Sequence, residues 1–232
     1  TASMILAIVS LISRLRLRET LESRKTEGVR FSFRGLLSSF RLERGELGLL
    51  VTQMFVVIGM IMSRHFLVVY ATEVIQLSET QWGLIQMSLF LSWAALSLPG
   101  GMVADRYRKP AILVAIIINP ITFMSYVFLR DFNTILIANI VAGLCQGLSG
   151  GRPPQDSAAW QALVADTVPT ERRGRVISVF NTVSLLISTP SPYIMGYLWI
   201  TVNPDFAMLT SIAFLFISAL VFHILVNPSK NG

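Results

Sequence analysis

The sequence predicts an all-α membrane protein, and two observations carry that prediction. Six apolar segments, roughly 47–71, 82–103, 110–129, 134–165, 176–199 and 206–226, are each long enough to cross a hydrocarbon core about 30 Å thick, which takes about 20 residues as a helix. They occupy most of the 232 residues, so no soluble domain fits. The second observation is the placing of charge. Of the 19 Lys and Arg, nine fall in 13–46, three in 106–109, three in 172–175 and one in the C-terminal tail, while the loops 72–81, 130–133 and 200–205 hold only Arg130. Lys and Arg collect in cytoplasmic loops. The connector and the C-terminus are therefore expected in the cytoplasm.

The elements follow in order. Residues 1–12 are apolar but too short to span, and the basic run RLRLRE follows at once. They read as the end of a truncated transmembrane helix or as a short interfacial anchor. Residues 13–46 form a polar connector. Within it Phe33, Leu36, Leu37 and Phe40 recur at helical spacing, with Arg34 and Arg41 on another face. That pattern suits a helix lying in the membrane interface, and a mobile linker is the other reading. Residues 47–232 form the transmembrane domain. Proline removes a donor and clashes with the preceding turn. Asn119-Pro120, Pro153-Pro154 and Pro190 with Pro192 are therefore expected to interrupt the third, fourth and fifth spans. Gly143 and Gly147, followed by Gly150-Gly151, are expected to let helices pack closely.

Composition excludes several classes. A pI near 10.0 would suit nucleic acid, but the charge lies in short juxtamembrane clusters, which suit anionic lipid instead. The lone Cys145 cannot form an intrachain disulfide. There is no nucleophile–base set, no metal-ligand cluster, no redox pair and no ATP-binding motif, so no enzyme, metal or cofactor is expected.

Two of the basic loops carry recognisable sequence. After the second span comes Gly101-Met-Val-Ala-Asp105-Arg106-Tyr-Arg108-Lys109-Pro110. It resembles the loop signature of the major facilitator superfamily, roughly G-x-x-A-D-R-x-G-R-K-P, without the glycine expected before Arg108. After the fourth span comes Asp166-Thr-Val-Pro169-Thr-Glu171-Arg172-Arg173-Gly174-Arg175, similar to the family's D-x-x-P-x-E-x-R-G-R. The resemblance covers essentially the whole chain. It implies the C-terminal half of a twelve-helix transporter, six helices arranged as a 3+3 inverted repeat, with the N-terminal six-helix half missing. It further implies that Gly101, Asp105, Arg106, Arg108 and Lys109 form a conformational latch. Asp166, Pro169, Arg173, Gly174 and Arg175 would be its second loop, with Pro169 and Gly174 shaping the turn. The bland alternative is that the arginines only enforce orientation.

Charges inside the spans are costly, by about 2.5–3.5 kcal/mol each on insertion scales, and usually face an interior. Arg64 reads either as snorkelling to the outer headgroups or as an anion or substrate contact. His65 reads as a titrating group or a hydrogen-bonded structural one. Arg152 and Asp156 stand four apart beside Pro153-Pro154; a cavity site, a structural pair and a re-entrant loop are all open. Gln53, Gln86, Trp93, Trp160 and Asn181 could line a polar route. The expected function is alternating-access transport of a small solute, with a coupling ion such as H+ or the solute's own gradient as the energy source. The expected place is the plasma membrane, among lipids and beside the missing half. A non-transporting sensor or assembly partner on the same half-fold is the alternative, and a homodimerising half a third.

Overall fold

The computed structural model describes residues 44–152, 157–170 and 172–226, all within the compact unit Ser39–Gly232. The expectations for residues 1–43, for Pro153-Pro154 and Asp156, for Glu171 and for the C-terminal tail lie outside the described residues.

Among the described residues there are eight α-helices: α1 Arg44–Val69, α2 Glu79–Arg106, α3 Arg108–Met124, α4 Phe132–Leu148, α5 Ala158–Thr167, α6 Arg173–Ser188, α7 Ser191–Thr201 and α8 Pro204–Leu225. Single wide turns, Tyr70–Val74 and Ser125–Leu129, extend α1 and α3. Four helices are long and apolar enough to cross a membrane: Gly45–Val74, Glu79–Arg106, Arg108–Leu129 and Pro204–Leu225. The other two expected spans are each divided, the fourth into α4 and α5 and the fifth into α6 and α7.

Local sequence explains the ends. Ser78 and Gln81 make a reciprocal capping box at α2: the Ser78 hydroxyl accepts from the Gln81 N–H at 3.2 Å and the Gln81 carbonyl accepts from the Ser78 N–H at 2.9 Å. Asp131, Ser157 and Asn203 cap α4, α5 and α8. Each satisfies a donor that the first helical turn leaves orphaned.

Within the described residues, the end of α4 is set by a glycine turn. Helix α4 stops before the prolines. The Gly150 N–H donates to Gly147 O at 2.9 Å and the Gly151 N–H to Gln146 O at 3.0 Å, and Gly150 sits at φ +67°. This is a Schellman termination, which needs a left-handed residue after the helix. The polar backbone freed there is used again: the Ser157 hydroxyl and the Ala159 N–H both donate to Ser149 O, at 2.8 and 3.2 Å. In lipid such closure is obligatory. Pro120, by contrast, does not interrupt the third span. Helix α3 runs straight through it, as α2 runs through Pro99. One lost backbone bond is tolerated where packed neighbours hold the turn.

Helix α8 packs between α1 and α3, and α6 and α7 lie on α1. Its Ala207, Met208, Leu215 and Phe222 are fully buried. At the other side α2 packs on α4. That contact is backbone-close: a Cβ at Gly143 would come 2.4 Å from Leu89 O, and one at Gly147 would come 2.8 Å from Leu96 Cβ. Only 17 % of the most apolar stretch of α2 is buried, and Leu98, Met102, Tyr193 and Ile200 are largely exposed. In hydrocarbon such faces are at no disadvantage.

Ion pairs tie the two ends. At one end Asp205, opening α8, accepts from the Tyr70 hydroxyl and from Arg130, both at 2.5 Å. The bond to Asp205 pushes the Arg130 pKa further above its ordinary value. At the other end Glu46, 1 % exposed, accepts from Arg172 at 2.8 Å. Arg108 pairs with Asp166.

Replacing Gly143 with Leu should separate α2 from α4, because overpacking costs about 1–3 kcal/mol even where some relaxation is possible. Gly83, where a Cβ would meet nothing within 4 Å, should accept Ala without loss. Monodisperse yield by fluorescence-detected gel filtration should fall for Gly143→Leu and hold for Gly83→Ala. Equal yields would show that the α2–α4 contact is not close.

Candidate functional site: a polar cavity between α1 and α4

Four apolar helices meet around a polar interior. Helix α1 contributes Met60, Arg64 and Leu67; α2 contributes Trp82, Gln86, Leu89 and Phe90; α3 contributes Asn119, Thr122 and Phe123; and α4 contributes Asn139, Ala142 and Gln146. Arg152, just past the Schellman turn, closes one side of a cavity of roughly 140 Å³. Gln86 and Asn139 each stand about two turns, or about 10 Å, in from the start of their helices, and Gln146 about two turns deeper. The cavity thus lies along the length of the apolar helices rather than at their starts.

A chain of hydrogen bonds organises it. Arg152 Nε donates to Gln146 Oε1 at 2.8 Å. Gln146 Nε2 donates to Asn119 Oδ1 at 3.1 Å, and Asn119 Nδ2 donates to Ala115 O at 2.8 Å. Gln146 and Asn119 are buried, so each amide is satisfied by the next, as buried polar groups require. The Arg152 guanidinium carbon lies 5.5 Å from the centre of the Phe90 ring and 6.0 Å from that of Trp93, within cation–π range. Asn139 donates to the Tyr126 hydroxyl at 3.0 Å and to Ile135 O at 2.8 Å.

The structure therefore brings together Arg64 and Arg152, which stand far apart in sequence. His65 is exposed and is not part of the lining. Asp156 lies outside the described residues. Among the residues expected to line a polar route, Gln86 lines this cavity and Trp93 stacks at its edge. Gln53, Trp160 and Asn181 belong instead to a second, roughly 20 Å³ pocket, where Gln53 donates to Asn181 at 3.2 Å. Sequence reasoning passed over Asn139 and Gln146, and read Asn119 only as part of a proline break. The available signal was an amide every seven residues on α4, which puts Asn139 and Gln146 on one face.

The loop motifs lie apart from the cavity. Asp105 and Arg106 are exposed. Asp105 makes no hydrogen bond or ion pair among the described residues, and Arg106 stacks on Tyr107 at 5.6 Å. Arg108 joins the first motif to the second through Asp166. Arg173 donates to Ala165 O at 2.5 Å, capping the end of α5. The Pro169 carbonyl accepts from the Arg172 N–H at 3.1 Å, closing the turn. The side chains of Lys109 and Arg175 make no hydrogen bond or ion pair among the described residues, and the Gly174 carbonyl accepts from the Ser178 hydroxyl at 2.9 Å.

Apolar helices turned outward around a charged interior cavity define an integral membrane protein. The chain belongs to the Major Facilitator Superfamily, whose sequence pattern matches residues 49–232. It is 23% identical over 165 residues to an uncharacterized MFS-type transporter of Methanocaldococcus jannaschii, a match that covers 68% of this chain and 39% of the relative. Its fold resembles the crystal structure of the peptide transporter POT in complex with sulfate, with a TM-score of 0.63, 19% identity, and coverage of 82% of this chain and 40% of that one. A mutant form of the same transporter matches equally well. The chain thus spans about two fifths of the length of the proteins it resembles. The family is one of transporters, not enzymes.

Replacing Gln146 with Leu should remove one hydrogen bond each from Asn119 and Arg152. An unsatisfied buried polar group costs about 1–3 kcal/mol, so the melting temperature of the purified chain should fall. The emission of Trp93, which shares Arg152 with Phe90, should shift. Unchanged melting and emission would show that the amide chain does not hold Arg152.

Proposed function

We propose that the chain is the C-terminal half of a secondary active or facilitative transporter, moving a small solute by alternating access. One observation carries this reading: a cavity walled by amides and arginines sits inside the apolar part of a unit two fifths as long as its relatives. Transporters of this architecture place their site near the midplane between two rocking halves. The eight helices are then six passes in a 3+3 inverted repeat, two of them broken. The missing partner is an N-terminal six-helix half. The coupling ion, where there is one, is H+ or another small cation. The protein spans the plasma membrane, with the connector and the C-terminus on the cytoplasmic side. A non-transporting sensor on the same half-fold is the other reading, and measured flux separates the two.

The latch reading is supported by an energetic argument. The Arg108 and Asp166 side chains are 32% and 63% exposed. Exposed pairs are worth about 0–1 kcal/mol. That is too little to hold a fold, yet 1 kcal/mol shifts a two-state equilibrium roughly fivefold. Such contacts suit switching better than stability. Asp105 is exposed and makes no hydrogen bond or ion pair among the described residues; in this reading it pairs across to another element.

Uptake of a labelled solute panel by vesicles holding the complete gene product tests the proposal. Saturable flux is expected, and its absence for every solute would favour the sensor. Within the same assay, Asp105→Asn and Arg108→Ala should each cut the rate severalfold while expression stays near wild type. Wild-type rates for both would leave the arginines as orientation signals only. Sidedness is checked separately, with single cysteines at Ser23 or Ser78 in a Cys145→Ser background and a membrane-impermeant thiol reagent on intact cells. Ser78→Cys should label and Ser23→Cys should not; the reverse pattern would invert the topology.

A further inference from the structure

We infer that the cavity between α1 and α4 is an anion site and that it takes an organic anion, a carboxylate or phosphate ester with an apolar body; its identification with the transported solute rests on the transport reading above.

Among the described residues the charged side chains of the lining are Arg64 and Arg152, and none of the others is an Asp or Glu. Arg152 is already engaged, by Gln146 at 2.8 Å and by the rings of Phe90 and Trp93. The charge left to a ligand is that of Arg64. It is exposed and makes no hydrogen bond or ion pair among the described residues. Gln86, across the cavity on α2, likewise makes no side-chain hydrogen bond among them. It offers a second donor.

A guanidinium in an apolar slab is held at an energetic cost. A cationic solute would raise that cost, since it would meet the like charge of Arg64. An anionic solute lowers it, and the planar fork of arginine matches a carboxylate or phosphate with two parallel bonds. The rest of the wall decides between an inorganic and an organic anion. Trp82, Leu89, Phe90 and Phe123 are apolar or aromatic. Sulfate or phosphate alone would lose hydration against them and gain nothing, whereas an apolar body buries surface there.

The test reads the potential and the occupancy of the cavity directly. Met60 lines the same cavity one helical turn before Arg64. The Met60→Cys, Cys145→Ser chain, in nanodiscs of zwitterionic lipid, is labelled with sulfonatoethyl methanethiosulfonate or with its trimethylammonium counterpart. Each rate is normalised to that of free mercaptoethanol. The anionic reagent should be favoured about tenfold, the lower end of what a focused potential achieves. Arg64→Gln should bring the ratio near one, while Arg64→Lys, which keeps the charge, should preserve it. Equal or cation-favoured rates, or a ratio indifferent to Arg64→Gln, would overturn the anion site. In a second arm benzoate should slow labelling and benzamide should not. Equal protection by benzamide, equal protection by inorganic sulfate, or protection by none of the three would overturn the organic-anion assignment. Neither arm requires flux, so a failure here is distinct from a failure of the transport reading.

Discussion

The rest of the structure depends on one constraint: a backbone amide inside a hydrocarbon slab must find its partner within the chain. A continuous helix meets it automatically. A broken pass must meet it by construction, and the fourth pass does. Gly150 turns the end of α4 back on its own carbonyls, and Ser157 and Ala159 re-use the carbonyl of Ser149. That closure is what allows Arg152 to stand beside α4 rather than within it, where it reaches Gln146. The break is therefore part of how the cavity is made.

The same constraint explains the amides. Asn119, Asn139 and Gln146 are buried in helices that are otherwise apolar. Each discharges its donors onto a helix carbonyl or onto the next polar group. Helix packing then brings the three to one place. The same two helices, α2 and α4, in close contact at Gly143 and Gly147, also carry Gln86, Phe90, Asn139 and Gln146 of the cavity wall.

Charge is sorted by what each location can hold. At the ends, solvent screens the pairs Arg108–Asp166 and Arg130–Asp205, which makes them weak and exchangeable. Glu46 is different, buried to 1 % and held by Arg172. Losing one partner of such a pair is costly, so it fixes α1 to the loop before α6. Inside the slab Arg152 is held by an amide and two rings, and Arg64 stands open to the cavity. Among the described residues the ends thus carry exchangeable contacts, while the interior charge without a hydrogen bond or ion pair is that of Arg64.

The sequence by itself determined the helical membrane class, the grouping of loops into two ends, the two loop motifs and the identity of the interior arginines. These follow from hydropathy length and from charge, which act locally and can be counted along the chain. Only the tertiary structure decided that Arg64 and Arg152 share one cavity and that Asn119, Asn139 and Gln146 build it. It also decided that a glycine turn at Gly150 closes α4, that Pro120 leaves α3 unbroken, and that Arg108 pairs with Asp166 between the loops. Those outcomes turn on which helix faces meet and on what a freed backbone group finds nearby. The cavity's partners come from positions dozens of residues apart, as Asn119 and Gln146 do and as Arg152 and Phe90 do, so no short window of sequence contains them.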